Sequence, residues 1–507
     1  MNYFDLVKLA APEIAVVVTA LIVLAIGLTS GRRSGSPGVS PGRPVRAQTV
    51  APNRTAQTFC TLAAALGLLV SIGLVFSLPA KANLLGGMLV VTPLNSLFKI
   101  ICLALAFFTV LLAQANSSLR HTGEYLAMLL LATVGLLLLV GSEELLMIFV
   151  GLELTGLSLY VMAGFDKTDI RSAEAGLKYF LFGSTASAFT LFGLSLLYGM
   201  SGTTGLGAIA QKVSAGPASP LLAVGIVMTL VGFAFKIAAA PFHLWAPDAY
   251  QGAPVSSAAF IASGSKVASF FVLGKIVLIG FGPLAGSAAW HGMAAGWTPV
   301  LAALAAFSIL LGNLVALAQK NVRRLLAYSA VAHAGYTLLG LIAGGRDGFS
   351  ATLFYTTIYA VTLVGAFAIV AIVRRETGND DITNFSGLSS RSPLLAASMG
   401  IFMLSLAGLP PLVGFFGKFY LFSAAFRSGA DEGLAWLVAL ALFGSLISLY
   451  YYLVVLKVIF VDEAARVTVP IRPEWLQKFT VAVLAAIVLI LGVIPAALVS
   501  HIATALP

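Results

Sequence analysis

Apolar residues fill this chain in runs of roughly 20, the length a helix needs to cross the hydrocarbon core of a bilayer. Short polar connectors, many bearing glycine or proline, separate the runs. Reading the runs against their breaks predicts about 14 transmembrane helices, centred near residues 19, 67, 103, 131, 153, 187, 230, 266, 309, 334, 361, 409, 446 and 487. The fold class is therefore all-α and integral to a membrane. Two segments depart from plain helices. GFAFKIAAAPFHLWAPDAYQGAP carries Pro241, Pro247 and Pro254 in quick succession, and LSLAGLPPLVGFFGKFYLF lies in an apolar stretch from Pro393 to Phe426 that exceeds one crossing. Proline removes a backbone donor and clashes with the preceding turn. Lipid cannot satisfy the groups so freed, and two discontinuous helices are predicted, held inside protein or beside water.

Five spans separate the two breaks. An odd count places them in opposite membrane orientations, the arrangement of two inverted five-helix repeats around a transport site. The expected division is an N-terminal three-helix segment over about 1–115, one repeat over about 120–280, the second over about 298–460, and a last loop and helix over about 461–507.

Composition agrees with lipid as the main solvent, since 59% of the 507 residues are hydrophobic and only 9% charged; no room remains for a sizeable aqueous domain. A net charge of +10 could signal nucleic acid. The basic residues instead gather in connectors and form no basic face, so they read as topology signals and no nucleic-acid partner is expected. The connector from Gly31 to Gln57 holds Arg32, Arg33, Arg43, Arg46 and Arg54, which places it in the cytoplasm and the N-terminus outside. Alternate connectors repeat the bias through Arg120, Lys167, Arg171, Lys320, Arg323, Arg324, Arg374, Arg375, Arg391, Lys457, Arg466, Arg472 and Lys478. Both termini are expected outside.

The first apolar run, after Lys8, is too long for a signal peptide and reads as the first span. The Asn53-Arg54-Thr55 sequon falls in a cytoplasmic connector and reads as chance. Cys60 and Cys102 lack metal-ligand or redox spacing, and both are expected to be free and buried. Neither a phosphate-binding loop nor a dinucleotide glycine fingerprint is present, so the chain is expected to bind neither ATP nor NADH. Its energy must come from an ion gradient or a partner.

Ionisable residues at membrane depth carry the candidate chemistry. Glu153 lies nine residues into a helix, roughly 14 Å at about 1.5 Å per residue, and Lys266 is similarly deep. Lys236 and Lys418 sit at the breaks. A lysine at the centre of a span costs about 2.5–3.5 kcal/mol. Burial disfavours the charged form and pairing favours it, so a lysine alternating between paired and unpaired states can bind and release a proton. The competing reading for each is a structural ion pair that never titrates. Lys178 follows Glu174 by four residues, and an ordinary helix-face pair explains it equally well. Lys99 and Lys275 read as snorkelling side chains near helix ends. His333, about one turn from Ser329 and Tyr336, is either a proton relay or a hydrogen-bonded core histidine. His243 reads as a hydrogen bonder that shapes the first break, and Glu143 with Glu144 as a solvated helix start.

The runs FVGLELTGLSLY, SAEAGLKYFLFGS, GFAFKIAAAPFHLWAPDAYQGAP, SGSKVASF, NVRRLLAYSAVAHAGY and LAGLPPLVGFFGKFYLF, in this order and spacing between about residues 120 and 460, resemble the subunit N family of bacterial respiratory complex I, the proton-pumping NADH:quinone oxidoreductase. That resemblance implies 14 transmembrane helices with two inverted five-helix repeats. It also implies roles for individual residues. Glu153 and Lys236 correspond to the glutamate-lysine pair of one half-channel, Lys266 to the central lysine, and Lys418 to the lysine of the second half-channel. Lys178 matches a further family lysine, and His333 falls on the central hydrophilic axis. The implied partners are the other membrane and peripheral subunits, including antiporter-like neighbours, with NADH, FMN, iron-sulfur clusters and quinone bound in those partners and none in this chain. The implied location is the bacterial inner membrane.

Subunits L and M and the Mrp-type cation/proton antiporters share the family's fold. WAPDAYQGAP looks like subunit N, whereas the antiporters usually carry a second histidine where Tyr250 stands, and no long lateral helix of the subunit L type is expected after the last span. An Mrp-type antiporter subunit is the alternative function. A membrane scaffold whose lysine pairs only fix helix packing is a third.

Overall fold

The computed structural model describes residues 3–33, 54–114, 119, 121–214, 219–428, 433–463, 471 and 473–506. Its helices begin with α1 (Tyr3–Leu9), α2 (Ala11–Arg33), α3 (Arg54–Phe76), α4 (Pro93–Gln114), α5 (Thr122–Gly141), α6 (Leu145–Ala163) and α7 (Ile170–Ser201). There follow α8 (Leu206–Ser214), α9 (Pro220–Lys236), α10 (Trp245–Gly252), α11 (Val255–Ala262), α12 (Gly264–Lys275), α13 (Trp297–Ala316) and α14 (Val322–Ala343). The chain continues through α15 (Gly345–Thr377), α16 (Leu388–Arg391), α17 (Pro393–Ala407), α18 (Val413–Arg427), α19 (Ala435–Phe460), α20 (Trp475–Val493) and α21 (Ala496–Ala505). A two-stranded antiparallel hairpin, β1 (Ala82–Leu84) and β2 (Leu89–Val91), pairs Ala82 with Val91 between α3 and α4.

Among the described residues, twelve helical runs are long and apolar enough to cross a membrane, with Val255–Gly280 counted as one. The expected centre near 230 falls on the shorter apolar α9, and that near 409 falls between α17 and α18. Both predicted breaks are present, over 237–244 and 408–412. Arg43, Arg46, Arg120, Arg466, Arg472 and the asparagine of the Asn53 sequon lie outside the described residues.

Local chemistry fixes the helix ends. The side chains of Asp169, Ser219 and Asn321 accept hydrogen bonds from the first-turn amides of α7, α9 and α14, satisfying donors that have no intrahelical partner. Glu474 and Gln477 form a reciprocal capping box on α20.

The centre of the molecule is α11–α12, α14 and α15, whose spans are each 94% buried, against 33% for α2, α3 and α7. Fully buried spans place polar side chains against protein, where they can be satisfied. One of these spans differs from expectation. The run containing Lys266 is not a plain helix, because Ser263 leaves helical geometry (φ −114°, ψ −84°) between α11 and α12. Serine and glycine in the sequence Ser263-Gly264-Ser265 supply the kink, with the Ser263 hydroxyl donating back to the Ala259 carbonyl at 2.6 Å.

Candidate functional site

Three buried lysines and a histidine lie along the centre of the molecule, and the two breaks position the outer members. Glu153 is the ninth residue of α6, as its spacing predicted. Its Oε1 accepts a 2.5 Å hydrogen bond from Ser187 on α7. Lys236 is the last residue of α9, where the chain leaves the helix and Ala238 takes a left-handed conformation (φ 58°). The backbone groups exposed there find partners: Trp245 Nε1 donates to the Phe235 carbonyl at 3.1 Å, and Ser308 Oγ accepts from the Ala240 amide at 2.8 Å. Lys236 Nζ points at the Leu152 carbonyl, 3.5 Å away. A cavity of about 20 Å³ is lined by Glu153, Ser187, Thr190 and Lys236, room for about one water molecule. Among the described residues no ion pair joins Glu153 to Lys236.

The second break also holds a buried lysine, on its far side. Gly408, in the left-handed region (φ 86°), ends α17, and Lys418 returns from α18 to donate to the Ala407 carbonyl at 2.9 Å and to Ser445 Oγ at 2.8 Å. The carbonyl offered to Lys418 thus lies at the end of α17, whereas the one offered to Lys236 comes from the middle of the continuous helix α6. Lys266, just after the kink, donates to the Ala330 carbonyl of α14 at 2.7 Å.

His333 lies between Lys266 and Lys418. Tyr355 stands 2.7 Å from its Nδ1 and Tyr452 3.2 Å from its Nε2. Tyr452 in turn hydrogen-bonds Ser329. Lys266 faces the Tyr359 ring at 5.8 Å, and that ring stacks on His333 at 4.7 Å. On the other side Tyr336 packs edge-on to His333 and lies 5.4 Å from the Lys418 ammonium. Of the two predicted neighbours of His333, Ser329 is reached only through Tyr452, and Tyr336 is a ring contact.

Lys178 pairs with Glu174 at 2.6 Å as its spacing predicted, and also with Asp248 at 2.7 Å. Asp248 carries Arg324 as well, at 2.7 Å. Burial pushes the Asp248 carboxyl up, but the hydrogen bonds from Lys178 and Arg324 outweigh it and hold it below the usual carboxylate value. An open pocket of about 230 Å³ beside this group is lined by Arg171, Glu174, Asp248 and Gln251. Deeper in, Asp380 binds Arg323 and Arg374. Burial raises the Asp380 carboxyl, and Arg323 with Arg374 outweigh it and hold it below the ordinary value.

Three sequence expectations need correction. Lys99 and Lys275 do not snorkel: Lys99 is buried and paired with Glu13 at 2.6 Å, and Lys275 is buried and paired with Glu143 at 3.1 Å. Each partner comes from a helix end distant in sequence, so neither ammonium needs to reach water. Glu144 is not solvated either, because it is buried and caps α6 through Met147 N at 2.7 Å. His243 is buried, and its Nδ1 has no hydrogen-bond partner among the described residues. Cys60 and Cys102 are free and buried. Sequence reasoning missed Ser187, Tyr355, Tyr452, Ser445 and Asp248 as companions of the site. Polar residues recurring inside otherwise apolar helices were the available signal.

These features define a class before they define a member: a helical membrane protein with charged side chains at two interrupted helices. The chain belongs to the NADH:quinone oxidoreductase/Mrp antiporter transmembrane family, whose model matches residues 142–448. Within it, the similarity runs to subunit N. The chain is 45% identical to NADH-quinone oxidoreductase subunit N 2 of Acidobacterium capsulatum, over 98% of each chain. In structure it resembles a chain of respiratory complex I from Thermus thermophilus with bound aureothin, with a TM-score of 0.76, 31% identity, and coverage of 96% of this chain and 98% of that one. A chain of the Mrp complex from a Dietzia species shares the fold at 20% identity, with a TM-score of 0.76 and coverage of 97% and 96%.

Proposed function

We propose that this chain is the proton-translocating membrane subunit of an NADH:quinone oxidoreductase, working through Glu153, Lys236, Lys266 and Lys418, with Lys178 and His333 as further members of the path. One contrast among its lysines carries the reading. Lys236, Lys266 and Lys418 are 6%, 3% and 5% exposed and end on neutral oxygens. By contrast, the other two buried lysines among the described residues, Lys99 and Lys275, each hold a carboxylate. An ammonium on a neutral oxygen can lose and regain its proton without breaking an ion pair, whereas a paired one that gives its proton to any group other than its partner leaves a charge unmatched.

In this reading quinone reduction in partner subunits changes hydration or charge beside Glu153, altering its coupling to Lys236. The proton then moves between Lys236, Lys266 and Lys418 by way of His333. NADH, FMN, iron-sulfur clusters and quinone belong to the partners, so the chain is a translocation module of an enzyme. Residues 120–280 and 298–460 form two inverted repeats of five crossings, and the two split helices bring the crossings to about 14. Both termini face outward from the bacterial inner membrane, because the basic connectors stay in the cytoplasm.

The test is Glu153→Ala or Lys236→Ala in the assembled complex. Proton transport should fall while the membrane domain still co-purifies; undiminished transport would sink the proposal. Sodium-dependent exchange by the chain without peripheral iron-sulfur subunits would favour the Mrp-type reading instead.

A further inference from the structure

We propose that Lys275 and Glu143 form a further proton-transfer site at the outer end of the first repeat, handing protons from the buried interior to the outer surface. This rests on the translocation reading above and extends it beyond the midplane lysines. Lys275 closes α12, nine residues after Lys266 on the same helix, and the backbone changes to a π-helical turn over Ile276–Gly280 directly after it. Such turns recur at functional positions. The pair is asymmetric: the Lys275 side chain is 4% exposed and that of Glu143 is 31% exposed, with 3.1 Å between them. It therefore joins a sealed side to an open one. The neighbouring pair, Lys99 with Glu13, is closed on both members at 1% and 7%.

The two ammonium groups flank one turn. Lys275 Nζ donates to the carbonyls of Val140 and Ser142 at 3.4 and 3.5 Å, while Lys99 lies against Gly141 between them. The Glu143 backbone is fixed by its amide to the Gly87 carbonyl at 2.8 Å and by its carbonyl from the Leu206 amide at 3.0 Å, which leaves only the carboxylate free to reorient. Beside it Glu144 is buried, and its Oε1 has no hydrogen-bond partner among the described residues. A pair serving packing alone has no need of a solvent-facing acid next to a buried one with an unused oxygen. The Lys99–Glu13 pair already ties α2 to α4.

In the transfer, the Lys275 ammonium gives one proton to the Glu143 carboxylate, leaving a neutral amine and a neutral acid. The acid releases that proton to outer water. The amine takes one from the interior, which restores the pair, so one proton crosses per cycle. Lys99, Glu13 and Glu144 are the other charged groups facing the turn, and none of them is a party to the transfer.

The experiment uses the complete complex reconstituted in vesicles and reads protons transported per NADH oxidised, beside co-purification of the subunits. Glu143→Gln and Lys275→Met should each lose transport with assembly retained, Glu143→Asp should recover it, and the double variant should remain low. A structural ion pair behaves oppositely, because removing both charges relieves the buried one. Recovered transport in the double variant overturns the proposal, as does normal transport in Glu143→Gln. If Lys275→Met does not assemble, Glu143→Gln against Glu143→Asp decides, since that acid is the partly exposed member. Loss in Lys236→Ala with normal transport in Glu143→Gln removes this site and leaves the translocation reading standing; normal transport in both removes the reading itself.

Discussion

Glu153 and Lys236 line one cavity without meeting: the carboxylate accepts from Ser187 at 2.5 Å, and the ammonium points to the Leu152 carbonyl at 3.5 Å. The cavity that both side chains line has room for about one water molecule. Under the proposed mechanism, coupling between them depends on what fills that space.

Ser187→Ala tests that arrangement. Hydrogen bonds to charged groups are worth about 1.5–3 kcal/mol, so losing this one should slow proton-coupled NADH oxidation by roughly tenfold or more. Assembly should be unaffected, as the hydroxyl faces the cavity. Turnover and proton transport of the reconstituted complex are the measurements.

Asp380→Asn should destabilise the protein by about 3–5 kcal/mol, because it strips the partner from a fully buried guanidinium, Arg323, with Arg374 losing a contact as well. The pH dependence follows from the same pair. The carboxyl of Asp380 is held below its ordinary 3.8, so its stabilisation is complete above that value. It is lost as pH falls through the lower folded-state value. Thermal inactivation of the complex, followed from neutral pH downward, should show this acid limb in the parent and a weaker one in Asp380→Asn.

Tyr355→Phe and Tyr452→Phe each remove one of the two hydroxyls that hold the His333 ring. A hydrogen bond of about 1 kcal/mol corresponds to roughly a fivefold loss in coupled turnover for each. Because both act on one ring, the double variant should depart from the product of the singles. A strictly multiplicative double would mean that the two tyrosines act independently of His333.

Gly408→Ala probes the second break. Gly408 has a φ of 86°, and a Cβ there would stand 2.9 Å from Lys418 Cδ. A left-handed backbone costs a residue with a Cβ about 1–2 kcal/mol, and the contact displaces the lysine from the Ala407 carbonyl. Proton transport should fall in proportion more than the yield of assembled complex.

The spans were legible because lipid imposes a single strong rule: a long apolar run must be helical. The two breaks were legible because proline leaves backbone groups that lipid cannot satisfy. The depth of Glu153 followed from counting along α6, and the Lys178–Glu174 pair from helical spacing. What a buried charge meets on another helix is set by packing, which no local pattern encodes. Thus Lys99 and Lys275 looked alike and alone in sequence, and only the fold brought Glu13 and Glu143 to them. The same holds for Lys236, Lys266 and Lys418, whose lack of a carboxylate partner among the described residues is a property of the tertiary structure. By itself, the sequence determined which residues bear charge at membrane depth. The tertiary structure decided which of those charges are matched, because the cost of a charge in a low-dielectric interior depends on the few ångströms around it.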